Sequence, residues 1–168
     1  MTGLVGGSID LAFRHFTPEP NDRPSSRRRE LMISILNGVV GDHLAATANP
    51  LAIPMRLRHQ GHTLEPDRSA IAATVSAPSQ RLLVALHGLC LNDHCWSPDN
   101  GEPAIDLPAT LAGEKGYTQL NLHYNTGRPV AANGRELAEL MERLVECWPV
   151  PVEEVTLLGH SMGGLVSR

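Results

Sequence analysis

No apolar run in the sequence approaches the roughly 20 residues that a bilayer-spanning helix needs, so no transmembrane segment is expected. The first residues, MTGLVGGSIDLAFRHF, lack the basic start and long apolar stretch of a secretory signal. There is no excess of positive charge: 14 Lys+Arg stand against 18 Asp+Glu, for a net charge of −4. A general nucleic-acid binder normally carries a strongly basic balance, so no nucleic-acid partner is expected. Cysteine is scarce. Cys90, Cys95 and Cys147 cannot all pair with one another, and their spacing fits neither a disulfide framework nor a CxxC metal knuckle. A reducing cytoplasm is the simplest setting. Internal repeats, long low-complexity tracts, a GxxxxGK[ST] phosphate loop and a GxGxxG dinucleotide fingerprint are all missing.

What is present suits one globular domain. The 168 residues are 42% hydrophobic and 19% charged, enough for a real core. Thirteen Pro and fifteen Gly lie mostly between apolar segments, as in an α/β domain with functional turns. Residues 17–29, TPEPNDRPSSRRR, read as a linker or loop whose arginine run is a solvated helix start. Residues 27–48 read as a helix with Leu31, Ile35, Val39 and Val40 on one apolar stripe, weakened or split by Gly38 and Gly41 and stopped by Asn49-Pro50. This helix is expected to serve packing. Residues 55–59 alternate apolar and charged, as a half-exposed strand does, and 71–75 are a weaker strand candidate. The run RLLVALH at 81–87 suits a central parallel strand buried on both faces. Further strands are expected at 117–123 and 155–158, with helices at 103–115 and 134–148. The second helix opens on Asn133 and Glu136 in capping-box positions. Strand–helix alternation from residue 81 onward implies right-handed crossovers and a parallel sheet.

The chemistry-bearing signal is Gly159-His160-Ser161-Met162-Gly163-Gly164. The form G-x-S-x-G is weak alone, but here the apolar strand VTLL runs into it and Leu165-Val166 can continue a helix after it. A strand that reverses sharply into a helix needs small residues on either side. Gly159 and Gly163 supply them and leave Ser161 strained, with its hydroxyl exposed at the strand end. A second signal is His87-Gly88-Leu89 at the end of the central strand. Acyl transfer needs two backbone N–H donors for the oxyanion, one after the nucleophile and one after an adjacent strand. Met162 and Leu89 occupy those positions, Gly88 allows close approach, and His87 orders the loop by hydrogen bonding.

The segments LLVALHGL, YTQLNLHYN, NGRELAELMERL and VTLLGHSMGGLVSR together resemble the first half of an α/β-hydrolase, in the style of bacterial lipases and esterases and the GPI inositol-deacylase-like branch. The resemblance covers about residues 81–168. It implies an N-terminal helical extension over residues 1–50 and a partial, parallel-sheet α/β-hydrolase domain over 51–168. It also implies a carboxylic-ester hydrolase with Ser161 as nucleophile, the Leu89 and Met162 amides as oxyanion donors and Gly88 in the oxyanion loop. The substrate is then a small-molecule or lipid ester. No cofactor is implied, because the chemistry is proton and acyl transfer.

In that fold the acid and the histidine of the triad follow the nucleophile. The seven residues after Ser161 hold neither, so a truncated and inactive chain is the expectation, as is a poorly protected sheet edge after VTLL. The alternative is a non-catalytic fragment or interaction module that retains this half of the fold. Asp93, His94 and Cys95, with His87 or His123, suggest a metal site only if three or four ligands converge, and nothing in the spacing enforces that. Cys90 reads as a small packing residue rather than a reactive thiol, Trp96 as packing on the sheet with lining of a substrate pocket as the alternative, and Tyr124 to Arg128 as a turn with substrate contact as the alternative.

Overall fold

The computed structural model describes residues 26–97 and 105–168, and residues 17–25 of the expected 17–29 linker and the start of the 103–115 helix lie outside them. Five helices and a five-stranded open sheet make up the described residues, an α/β architecture. In chain order these are α1 (Arg27–Ala46), β1 (Arg56–His59), β2 (His62–Leu64), α2 (Arg68–Thr74), β3 (Arg81–Leu86), α3 (Leu107–Lys115), β4 (Thr118–His123), α4 (Val130–Cys147), β5 (Glu154–Gly159) and α5 (Met162–Val166). A 3₁₀ turn spans Asp93–Trp96.

The strand order is β2-β1-β4-β3-β5. From residue 81 onward the strands are parallel as expected, with β3 central between β4 and β5. The sheet as a whole is mixed, which corrects the expectation of a parallel sheet. β1 pairs antiparallel with both β2 and β4. A short connection accounts for the first pairing: Gln60 and Gly61, both at positive φ, turn β1 back into β2, whereas a parallel neighbour needs a long crossover.

The main core lies on one sheet face. Leu82, Val84 and Leu86 of β3, Leu120 and Leu122 of β4 and Leu57 of β1 meet Leu137, Leu140 and Leu144 of α4 and Trp148 at its C-cap. The three leucines recur at helical spacing, so one stripe of α4 is buried. The other face carries Gln119 and Asn121, and Ala109 and Ala112 of α3 share a cavity wall with them.

Three local expectations are corrected. Residues 71–75 are not a strand: 71–74 belong to α2 and Val75 is its C-cap, because Asp67 caps that helix by accepting from the Ser69 and Ala70 amides, both at 3.0 Å. α4 begins at Val130 after Pro129, not at a capping box on Asn133. Asn133 is buried within the first turns, where its Nδ2 donates to the Asn125 carbonyl at 3.0 Å, and Glu136 pairs with Arg128. α1 forms as one element bent at Val40 (φ −131°, ψ 20°), but it buries Ser34, Asn37, Gly41 and Leu44, while Leu31, Ile35 and Val39 are exposed. Its polar face faces inward because the neighbouring loops need hydrogen bonds. Asn37 Nδ2 donates to the Leu51 carbonyl at 2.8 Å, and its Oδ1 accepts from the Ile53 amide at 2.9 Å.

Candidate active site

Ser161 lies at the junction of β5 and α5 with φ 53° and ψ −118°. A non-glycine residue in that region carries backbone strain and persists only where its surroundings over-determine it. Here they do. The Gly163 amide donates to the His160 carbonyl at 2.9 Å and the Gly164 amide to the Ser161 carbonyl at 3.0 Å, closing the turn. A Cβ on Gly159 would lie 2.5 Å from the Gly164 nitrogen, and one on Gly163 would overlap the Leu86 carbonyl oxygen. Both glycines are sterically required. The Ser161 side chain is exposed, and its hydroxyl makes no hydrogen bond among the described residues.

The sheet register brings the second signal to the first. Leu86 pairs with Gly159, and the His160 amide extends that pairing by donating to the Leu86 carbonyl at 2.9 Å. Two residues further on, Gly88 lies beside Ser161. A Cβ on Gly88 would stand 3.1 Å from His160 Nδ1 and 3.2 Å from Ser161 Cβ. Gly88 is buried, while Leu89 is exposed. Neither the Leu89 nor the Met162 amide has a hydrogen-bond acceptor among the described residues.

His87 orders this loop. It is fully buried, stacked on Tyr124 with ring centroids 4.6 Å apart. Its Nδ1 lies 3.0 Å from the Gly88 carbonyl oxygen, an acceptor, so Nδ1 carries the proton. The Leu91 amide donates to the same oxygen at 3.3 Å. In a trans peptide the C=O and N–H point in opposite directions. Holding the Gly88 carbonyl therefore directs the Leu89 N–H the other way. Burial pushes the His87 pKa down to about 4, so the ring is neutral near pH 7.

Asp93 and His94 do structural work. Asp93 is buried, 3.0 Å from Arg58 Nη1 and 3.3 Å from His123 Nδ1, and Glu30 joins Arg58 and His94 at 3.0 Å each. Burial, the largest single influence, raises the Asp93 pKa, but His123 and Arg58 together outweigh it and hold the carboxyl below its usual value. Burial raises the Cys95 thiol to about 11, which makes it a poor nucleophile. No group of three or more His, Cys, Asp or Glu among the described residues is arranged to hold a metal ion.

Two features add to the sequence reading. The Trp96 ring meets His160 edge-on at 6.2 Å and so stands beside the Gly159–Gly164 turn. The stretch from Tyr124 is more than a turn, because Tyr124 Oη donates to the His87 carbonyl at 2.8 Å and Thr126 Oγ1 accepts from the Cys90 amide at 3.1 Å. No sequence motif marks these two hydroxyls. A cavity of about 570 Å³ lies between α3 and β4, and its walls include neither Ser161 nor Leu89. A second, apolar groove of about 950 Å³ runs along β5, α4 and α5, where Val155, Leu157 and Leu165 are exposed. No protein-family model, no curated protein and no solved structure matches the chain.

Proposed function

We propose that this chain carries the nucleophile and oxyanion elements of a serine hydrolase of α/β-hydrolase type, acting on carboxylic esters. The observation that carries this reading is the backbone of Ser161, strained at φ 53° between a parallel strand and a helix, with its hydroxyl exposed. Such strain is retained where it serves a site. Beside it stands the Gly88–Leu89 loop with an unpaired amide, as an oxyanion site requires.

In the proposed reaction the Ser161 oxygen bonds to the ester carbonyl carbon. The negative charge that develops on the carbonyl oxygen is taken up by the Leu89 and Met162 amides. The bond to the alcohol oxygen then breaks, leaving an acyl group on Ser161, and the serine proton passes through a general base to the departing alcohol. Water reverses these steps and releases the acid. No histidine or carboxylate among the described residues hydrogen-bonds the Ser161 hydroxyl, so the base is supplied from outside them. Trp96 and Leu89 flank the nucleophile with apolar surface suited to the acyl or alcohol group of a small-molecule or lipid ester. Cys90, Cys95 and Cys147 are free thiols, which suits action in a reducing compartment such as the cytoplasm. No helix among the described residues is long and apolar enough to cross a membrane.

The test is fluorophosphonate labelling of the full-length gene product, followed by peptide mass spectrometry and p-nitrophenyl ester hydrolysis. Ser161 is the expected site of modification, and Ser161→Ala should abolish both labelling and turnover. Labelling at another serine, or turnover that survives Ser161→Ala, would remove the elbow from the mechanism.

A further inference from the structure

The loop that bears the Leu89 donor is held at three consecutive peptide planes. The middle plane, Gly88–Leu89, is fixed through its carbonyl by His87 and Leu91. The plane before it, His87–Gly88, presents its carbonyl to the Tyr124 hydroxyl at 2.8 Å. The plane after it, Leu89–Cys90, presents its N–H to the Thr126 hydroxyl at 3.1 Å. Both hydroxyls come from one turn that follows β4, and both side chains are buried, Tyr124 at 1% and Thr126 at 3% exposure.

Cys90 needs such an anchor. Its φ is +60°, a left-handed conformation that a residue with a Cβ adopts at a cost. From the other side α1 closes on it, and a Cβ on Gly38 would overlap Cys90 Sγ and come within 3.0 Å of Cys90 Cα. The turn is itself rigid. Asn125 Nδ2 donates to the Gly41 carbonyl at 2.8 Å, and the Gly127 amide donates back to Asn125 Oδ1 at 3.0 Å.

We propose that Thr126, together with Tyr124, is a positioning residue that aims the Leu89 amide at the reacting oxygen, an inference that rests on the esterase reading above. Neither side chain touches substrate. Each acts by fixing a peptide plane that flanks the donor plane, so that the donor is in place before charge develops. Preorganisation of this kind lowers the barrier without strengthening ground-state binding.

The experiment compares Thr126→Val, Thr126→Ser and Tyr124→Phe with wild type in the full-length protein. Val keeps the shape of Thr and removes the acceptor, while Ser keeps the acceptor. Thr126→Val is expected to slow fluorophosphonate labelling of Ser161 and to lower kcat by about tenfold, with KM held within about twofold, because a misaimed donor is a partial loss of one. Tyr124→Phe should shift kcat in the same direction, and Thr126→Ser should restore it. A purely structural role would instead lower the melting temperature of Thr126→Val and leave labelling per folded molecule unchanged. Wild-type labelling at Ser161 with an equal rate in Thr126→Val overturns this inference alone. Absence of Ser161 labelling in the wild type overturns the esterase reading, and this inference with it.

Discussion

Gly163 and Gly164 stand next to each other in the elbow, and an added methyl group meets different surroundings at each. At Gly163 a Cβ overlaps the Leu86 carbonyl oxygen and lies 2.8 Å from Leu86 Cβ. At Gly164 the nearest atom is 3.8 Å away, an ordinary contact. Gly163→Ala must push α5 off the end of β3, and it is expected to destabilise the fold by about 1–3 kcal/mol, the usual cost of overpacking. Gly164→Ala should be close to neutral. Urea unfolding of the two variants separates them, and equal midpoints would mean that β3 and the elbow are not packed as described. The contrast bears on function, because the contact at Gly163 seats the turn that strains Ser161. Both glycines are visible in the sequence, but the difference between them depends on where β3 ends.

The same logic holds at the scale of elements. A glycine inside a helix ordinarily costs about 1 kcal/mol relative to alanine. Gly113 in α3 follows that rule, since among the described residues nothing lies within 4 Å of its added Cβ. Gly113→Ala is therefore expected to stabilise by up to about 1 kcal/mol. Gly41 in α1 opposes it, because a Cβ there would strike the Asn125 side chain and break its 2.8 Å bond to the Gly41 carbonyl. Gly41→Ala should destabilise by about 1–3 kcal/mol despite the better helix propensity. Opposite shifts of the two melting temperatures are the expected result, and a stabilised Gly41→Ala would show that α1 is not docked on the turn after β4. Periodicity places a helix here correctly but chooses its apolar stripe as the packing face. The docked face is instead polar and small, selected by Asn37, Gly38 and Gly41 and the loops that approach them.

At the scale of the whole molecule, the buried polar groups make the fold acid-sensitive. His87 is held at a pKa of about 4 against 6.5 for the free side chain, chiefly by burial. Above about pH 6.5 neither the folded nor the unfolded chain binds this proton, and the contribution to stability is fully present. Between the two values the unfolded chain binds it and the folded chain does not, so stability falls as pH falls. The loss across that window is on the order of 3 kcal/mol. Urea unfolding between pH 7 and pH 4 should show a steeper decline for wild type than for His87→Gln, which has no titrating ring. Parallel pH profiles would mean that the histidine protonates freely in the folded state. The same burial keeps the ring neutral and its Nδ1 proton on the Gly88 carbonyl, which couples acid stability to the geometry of the proposed oxyanion loop.

The elbow is determined locally. Glycines at 159 and 163, an apolar strand before them and a helix after them leave Ser161 few conformations, so its place and strain are readable in the sequence. The central strand is likewise readable, because burial on both faces demands an apolar run. Three-dimensional packing decided the rest. Residues 71–74 fall in an expected strand, but the Asp67 cap makes them helical. Asn133 has the chemistry of a helix cap, but the Asn125 carbonyl claims its amide. The hydroxyls of Tyr124 and Thr126 act on His87 and Cys90, more than 35 residues earlier in the chain. Contacts of that range leave no periodic or local trace in the sequence, because they depend on which strands become neighbours and in what register.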